Sequence, residues 1–162
     1  MNKKDLTDTF LEEIKRILME QEEENETETE ETEGDGGQNS DFDEMVSRLL
    51  HSQTQVHIFH LGTKGAGSYA AHKALQGYYE GIDALVDGLI ESFQGRYGLV
   101  TNYETYDMDK FESVAKCISY LTDLNKMITE KRKSVKDSYL QNQIDTVQEL
   151  LFSTLYKLKF LK

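Results

Sequence analysis

An all-α fold, a four-helix bundle, is predicted by three features of the chain. Four long stretches after residue 40 carry apolar residues at spacings of three and four, the period of a helix that is apolar on one side. The 162 residues include no proline, which suits long helices. The connections between the stretches are polar or carry glycine, and helices with wide apolar stripes bury them best against one another.

The first helix is expected to start near Ser40, with Asp43 completing a near capping box, and to run to about Thr63 on a stripe of Phe42, Met45, Val46, Leu49, Leu50 and Val56. Lys64-Gly65-Ala66-Gly67 breaks it. The second spans about 68–96, with Leu75, Tyr78, Ile82, Leu85, Leu89 and Phe93 inward. A connection over 97–106 leads to a third helix at about 107–133, with Phe111, Ala115, Ile118, Leu121 and Ile128 inward. Its basic end, Lys131-Arg132-Lys133, complements the helix dipole. Ser134 is the expected cap of the fourth helix, whose stripe is Leu140, Ile144, Val147, Leu151, Leu155, Leu158 and Leu161.

The N-terminal forty residues differ in kind. They hold 14 acidic and 4 basic side chains, a net charge of −10 out of −12 for the chain. Residues 4–20 read as a short amphipathic helix with Leu6, Phe10, Ile14, Ile17 and Leu18 on one face, marginal by itself in water and so expected to dock, either on this domain or on an unknown protein partner. Residues 21–40 have almost no apolar side chain and strong like charge, the composition of a disordered tether. The expected organisation is a docking helix at 1–20, an acidic linker at 21–40 and a bundle at 41–162.

Composition excludes several classes. Cys117 is the one cysteine, so no intramolecular disulfide framework exists; a buried, inert thiol is the expectation. No run of about eighteen apolar residues is present, so no membrane span is expected. Lys3 and Lys4 precede no long apolar stretch, so no secretory signal is expected either, and the cytoplasm is the expected compartment. An acidic arm repels phosphate, and no basic stripe with interleaved aromatics exists, so nucleic acid is not an expected partner. Lys64-Gly65-Ala66-Gly67 lacks both the preceding strand and the spacing of a phosphate loop.

The chemistry-bearing residues are His60, His72, Asp87 and Glu91. His60 ends the first helix and His72 opens the second, so a tight turn brings them together. Asp87 and Glu91, at i and i+4, share a face of the second helix. Measured from His72 at about 100° per residue, Asp87 lies near 60° and Glu91 near 100°, whereas the apolar stripe centres near −90°. The carboxylates therefore lie on a flank, outside the bundle core. Fifteen residues separate His72 from Asp87, roughly 22 Å of helix. One chain cannot close such a site, and two antiparallel chains can. Around these four, His57, Gln76, Tyr79 and Asp83 stand where they could support the ligands; for His57 and Tyr79 packing is the plainer reading, and for Asp83 a solvated face is an equal alternative.

The segment from His60 to Glu91 resembles the Dps, or miniferritin, family. It has a histidine at the end of the first long helix, a glycine five residues later, a second histidine after twelve, then Asp and Glu on the second helix. The aromatic-rich end, Leu155-Tyr156-Lys157-Leu158-Lys159-Phe160-Leu161, is also similar. The resemblance implies a ferritin-like bundle and a homo-oligomer, with the dimer as minimum unit and a shell as the larger form. It further implies a ferroxidase site of one or two irons at the dimer interface, with His60 and His72 from one protomer and Asp87 and Glu91 from the other. Iron, Fe(II) and Fe(III), is the implied metal; imidazole and carboxylate donors also suit zinc or manganese. The chain departs from the family at Leu61, where an aromatic residue is usual, at Gln76, where an acid is frequent, and in its acidic arm. The runs His72-Lys-Ala-Leu-Gln-Gly-Tyr-Tyr79 and Glu91-Ser-Phe-Gln-Gly95 are similar to those of divergent forms in tailed bacteriophages, which would place the protein in a host cytoplasm or a virion. The alternative is a non-catalytic ferritin-like structural or interaction module, a virion component for example, that docks through its N-terminal helix.

Overall fold

The computed structural model describes residues 36–161 together with Glu12, Lys15 and Arg16, and it describes side chains in the bundle from Ser40 onward. The chain divides into two units, Met1–Gly36 and Gly37–Lys162. In the first, Glu12, Lys15 and Arg16 are helical, and Lys15 pairs with Glu12 at 3.4 Å. The rest of the expected docking helix and of the acidic tether lies outside the described residues.

The second unit contains α1 (Gly36–Gly62), α2 (Ser68–Tyr97), α3 (Val114–Lys131) and α4 (Ser138–Phe160). Among the described residues there is no strand, and no helix is long and apolar enough to cross a membrane. The stripes read from the sequence meet in one core. Phe42, Met45, Val46, Leu49, Val56 and Phe59 of α1 are fully buried, as are Leu75, Tyr78, Ile82 and Leu89 of α2, Cys117, Leu121 and Ile128 of α3, and Leu140, Ile144, Val147 and Leu151 of α4. Leu50 and Leu161 are exposed, and Leu85 is half-buried. Tyr78 keeps its polar end satisfied: its hydroxyl donates to Ser52 Oγ at 2.8 Å, and Ser52 in turn donates to the Leu49 carbonyl. Burial pushes the Cys117 thiol up to about 11, so it is inert at neutral pH.

Side-chain contacts define which helices adjoin. Phe42 of α1 stacks on Phe93 of α2, His51 of α1 meets Tyr120 of α3, Ser92 of α2 meets Gln143 of α4, and Asn125 of α3 meets Gln148 of α4. Both ends of the chain order agree. The start of α1 lies beside the ends of α2 and α3, so α1 and α4 run one way and α2 and α3 the other. A parallel α2–α3 pair requires one long crossover along the bundle.

Residues 98–113 form that crossover, and they revise the sequence-based boundaries. The expected connection was ten residues at 97–106, followed by a helix from Asp107. Instead the chain stays outside any helix for sixteen residues, and α3 begins at Val114 behind Ser113, whose Oγ accepts from the Lys116 amide. The reason is a row of polar side chains on α1 at intervals of four. Asp43 accepts from the Asn102 amide at 3.2 Å, Ser47 Oγ accepts from the Glu104 N–H at 3.0 Å, and His51 Nε2 donates to the Asp107 carbonyl at 3.2 Å. Gln55 closes a two-bond clasp on the Asp109 backbone at 2.7 and 2.8 Å. The bonds from Ser47, His51 and Gln55 satisfy backbone groups that a helix would otherwise pair internally. Phe111 and Ala115 are accordingly displaced from their expected roles: Phe111 is half-buried in the crossover, and Ala115 is exposed.

Two further boundaries shift. Helix α1 begins four residues before Ser40. Ser134 does not cap α4; its Oγ donates back to the Lys131 carbonyl, and Asp137 is the residue at the α4 cap.

The crossover ends where Phe111 crosses Gly62 at the last turn of α1. A Cβ at Gly62 would overlap the Phe111 Cβ and approach its ring. Gly62→Ala is therefore expected to destabilise the bundle by about 1–3 kcal/mol through overpacking, read as a lower urea midpoint. An unchanged midpoint would show that Phe111 moves aside freely.

At the opposite end Lys131 donates to Asp41 at 2.7 Å and pairs with Glu44 at 2.5 Å. The Lys131 hydrogen bond holds the Asp41 carboxyl below its ordinary value of 3.8. A depressed carboxyl pKa contributes stability above the ordinary value and loses it as the pH falls through the folded one. These groups are partly exposed, so the contribution is under about 1 kcal/mol. Between pH 7 and pH 3 the wild type should lose more urea resistance than Lys131→Met. Equal losses would remove the pair from the acid response.

Candidate functional site

The turn between α1 and α2 builds the imidazole pair. Gly65 and Gly67 take positive φ values of 93° and 76°, a conformation glycine adopts without Cβ strain. The chain thus reverses in a few residues and sets the last turn of α1 against the first turn of α2. His60 and His72 stack there with ring centroids 3.6 Å apart and planes 27° from parallel. His60 is buried at 7% exposure, and His72 is half-buried.

Each ring is held by the other helix's backbone or by its own turn. His60 Nδ1 lies 2.9 Å from the His72 carbonyl, and His72 Nδ1 lies 3.3 Å from the His60 carbonyl and 3.2 Å from Thr63 Oγ1. A carbonyl only accepts, so both Nδ1 atoms carry the proton. Thr63 uses its own proton on the His60 carbonyl at 2.6 Å, which leaves its oxygen to accept from His72. A ring protonated only at Nδ1 keeps its Nε2 lone pair free, and among the described residues no hydrogen bond occupies either Nε2. Carbonyl-fixed Nδ1–H with a free Nε2 is the arrangement that orients a histidine toward a metal.

Two of the four flanking residues join this cluster. His57 stacks on Tyr79 at 4.1 Å, and Tyr79 meets His60 edge-on at 5.1 Å. Gln76 does not turn toward His72. Its amide oxygen accepts from Lys73, and its nitrogen donates to Glu80 at 2.7 Å. Asp83 is exposed and carries no hydrogen bond or ion pair within the described residues.

Asp87 and Glu91 sit farther along the same helix, both exposed and both without a hydrogen bond or ion pair among the described residues. Among those residues no three His, Cys, Asp or Glu side chains converge closely enough to hold a metal ion. The histidines occupy one end of the α2 flank and the carboxylates the other, and a single chain does not bring them together. Asp83, Asp87 and Glu91 leave a row of uncompensated negative charge on that flank, which attracts cations.

The α1 row at Asp43, Ser47, His51 and Gln55 was missed in the sequence reading. Its signal is polar residues at intervals of four inside an otherwise apolar stripe, all but His51 buried.

Fold and site thus define a four-helix bundle with one crossover, bearing an oriented imidazole pair and a carboxylate pair at opposite ends of one flank. The chain belongs to DUF5856, a family of unknown function, whose model matches residues 60–158. The match starts at His60 and takes in all four candidate ligands, most of the crossover-linked bundle and the aromatic end of α4 up to Leu158. No curated protein matches the chain, and no solved structure does.

Proposed function

We propose that this protein is a ferritin-like, Dps-like iron protein that oxidises Fe(II) at a site shared between two protomers. The observation that carries the reading is the tautomer-fixed pair: His60 and His72 keep both Nε2 lone pairs free while backbone carbonyls hold both Nδ1 protons. A buried packing pair would also need its Nδ1–H groups bonded, but the Nδ1-to-carbonyl bond with a free Nε2 is the form in which metal-ligating histidines are held. The up-down-down-up order with a single long crossover supports the ferritin-like assignment, since that class of bundle has one such connection.

In this reading two copies pack antiparallel along the α2 flank. Such a two-fold contact sets His60 and His72 of one copy opposite Asp87 and Glu91 of the next, and repeats the site on the other side. The residues fit the substrate: neutral imidazole nitrogens and carboxylate oxygens suit Fe(II), with zinc or manganese as competitors. Four ligands leave positions open for dioxygen or peroxide, which takes the electron given up by Fe(II). The carboxylates then stabilise the greater charge of Fe(III). Tyr79, beside His57 and His60, is placed to shield the imidazoles from water. The role is iron sequestration or oxidative protection in a cytoplasm, with higher assembly into a shell as the storage form.

One observation favours the alternative of a non-catalytic structural or interaction module. Gln76 holds the position where the Dps pattern often has an acid, and its amide is tied to Lys73 and Glu80. Aerobic Fe(II) oxidation separates the two readings. Saturable oxidation above the buffer rate, followed at the ferric absorbance band, supports the enzyme. A rate equal to buffer leaves the structural module.

A further inference from the structure

A cleft of about 400 Å³ opens between α1, the crossover and α3, lined by no residue of the His60–His72 pair or of the α2 flank. Its charge is unevenly matched. Each carboxylate on its walls has a lysine: Glu44 pairs with Lys131 at 2.5 Å, Asp123 with Lys126 at 3.0 Å, and Asp109 with Lys116 at 3.9 Å. Among the described residues Arg48 has no ion pair and makes no hydrogen bond. Its Cζ instead lies 3.6 Å from the centroid of the Tyr106 ring, and the Tyr106 hydroxyl is tied to Glu104 at 2.5 Å. Stacking on an anchored ring fixes the guanidinium plane, so its N–H donors are set in advance and unengaged. Lys116, only loosely paired, stands on the same cleft. Leu124 and Met127 give it an apolar wall.

We propose that this cleft binds a small organic monocarboxylate with an apolar tail. The carboxylate takes the planar donor fork of Arg48, which matches its two oxygens, and the tail lies on Leu124 and Met127. The three wall carboxylates oppose a dianion more than a monoanion, so inorganic phosphate is disfavoured. The volume falls within the range of small-molecule sites. This site is independent of the iron reading, because none of its residues touches the His60–His72 pair.

The test uses the full chain treated with a chelator, so the result does not depend on metal. The Met127 methyl resonance, assigned by its loss in Met127→Leu, is followed while hexanoate, hexanol or inorganic phosphate is added. Hexanoate should shift it saturably. Hexanol and phosphate should be at least about tenfold weaker, the scale of a charge-assisted hydrogen bond. Arg48→Gln, an exposed substitution whose helical circular dichroism should match wild type, should weaken hexanoate by about tenfold or more. No saturable shift with hexanoate, an equal response to hexanol or phosphate, or an unchanged midpoint in Arg48→Gln would each overturn the proposal.

Discussion

The Asp87→Ala/Glu91→Ala variant is expected to lose Fe(II) oxidation to the buffer rate while keeping its full thermal stability. Both side chains are exposed and make no hydrogen bond or ion pair among the described residues, so their removal opens no cavity and strands no polar partner there. Like charges four residues apart slightly disfavour a helix, so the fold should gain a few tenths of a kcal/mol at most. The effect on activity is of another size. Loss of a residue that merely supports a metal ligand typically costs about 10–100-fold, and loss of two ligands should exceed that. Asp87→Asn/Glu91→Gln, which keeps side-chain size, should be as inactive. Oxidation in either variant at the wild-type rate would remove the carboxylates from the site.

The largest stability loss is expected from Phe93→Ala. Phe93 stacks on Phe42 with centroids 3.7 Å apart and planes within 8°, and the two rings are 2% and 0% exposed. They join the end of α2 to the start of α1 at the floor of the core. Truncation leaves a large cavity at a site pinned by two helices. A buried Phe→Ala change costs about 3–5 kcal/mol, a large part of a typical domain's 5–15 kcal/mol. The urea midpoint should fall steeply with little change in slope. A fall equivalent to under about 1 kcal/mol would mean that this end of the core collapses around the gap.

Much of the bundle was legible in the sequence because apolar periodicity records burial directly. Tyr78, Ile82, Leu89 and Phe93 of α2, and Leu140, Ile144, Val147 and Leu151 of α4, face the core as their spacing requires. The crossover was less legible. Asp107–Ser113 looks helical by local preference, and what holds it out of a helix is bonds from His51 and Gln55 to the Asp107 and Asp109 backbone, more than fifty residues away. Local pattern carries no record of such pairing. Ser134 misled for a related reason: a serine can cap the helix that follows or bond back to the one before, and here it bonds back to Lys131. At the site, the meeting of His60 and His72 followed from the glycines of the turn. The separation of Asp87 and Glu91 from them followed from helix rise alone. The tautomers did not, because they depend on which carbonyl each Nδ1 reaches. Gln76 likewise reads as a ligand-side residue until its bonds to Lys73 and Glu80 are seen.

Sharing of the site between chains is the central claim, and a complementation assay tests it most directly. One chain carries His60→Ala/His72→Ala, the other Asp87→Ala/Glu91→Ala, and each alone should be inactive. In a mixed dimer one of the two sites draws its histidines and its carboxylates from intact partners. Unfolding and refolding the two together in equal amounts should therefore restore about a quarter of the wild-type Fe(II) oxidation, as random two-fold pairing requires. Continued inactivity of the mixture, with wild type active and both variants folded and dimeric, would contradict a site built from two chains.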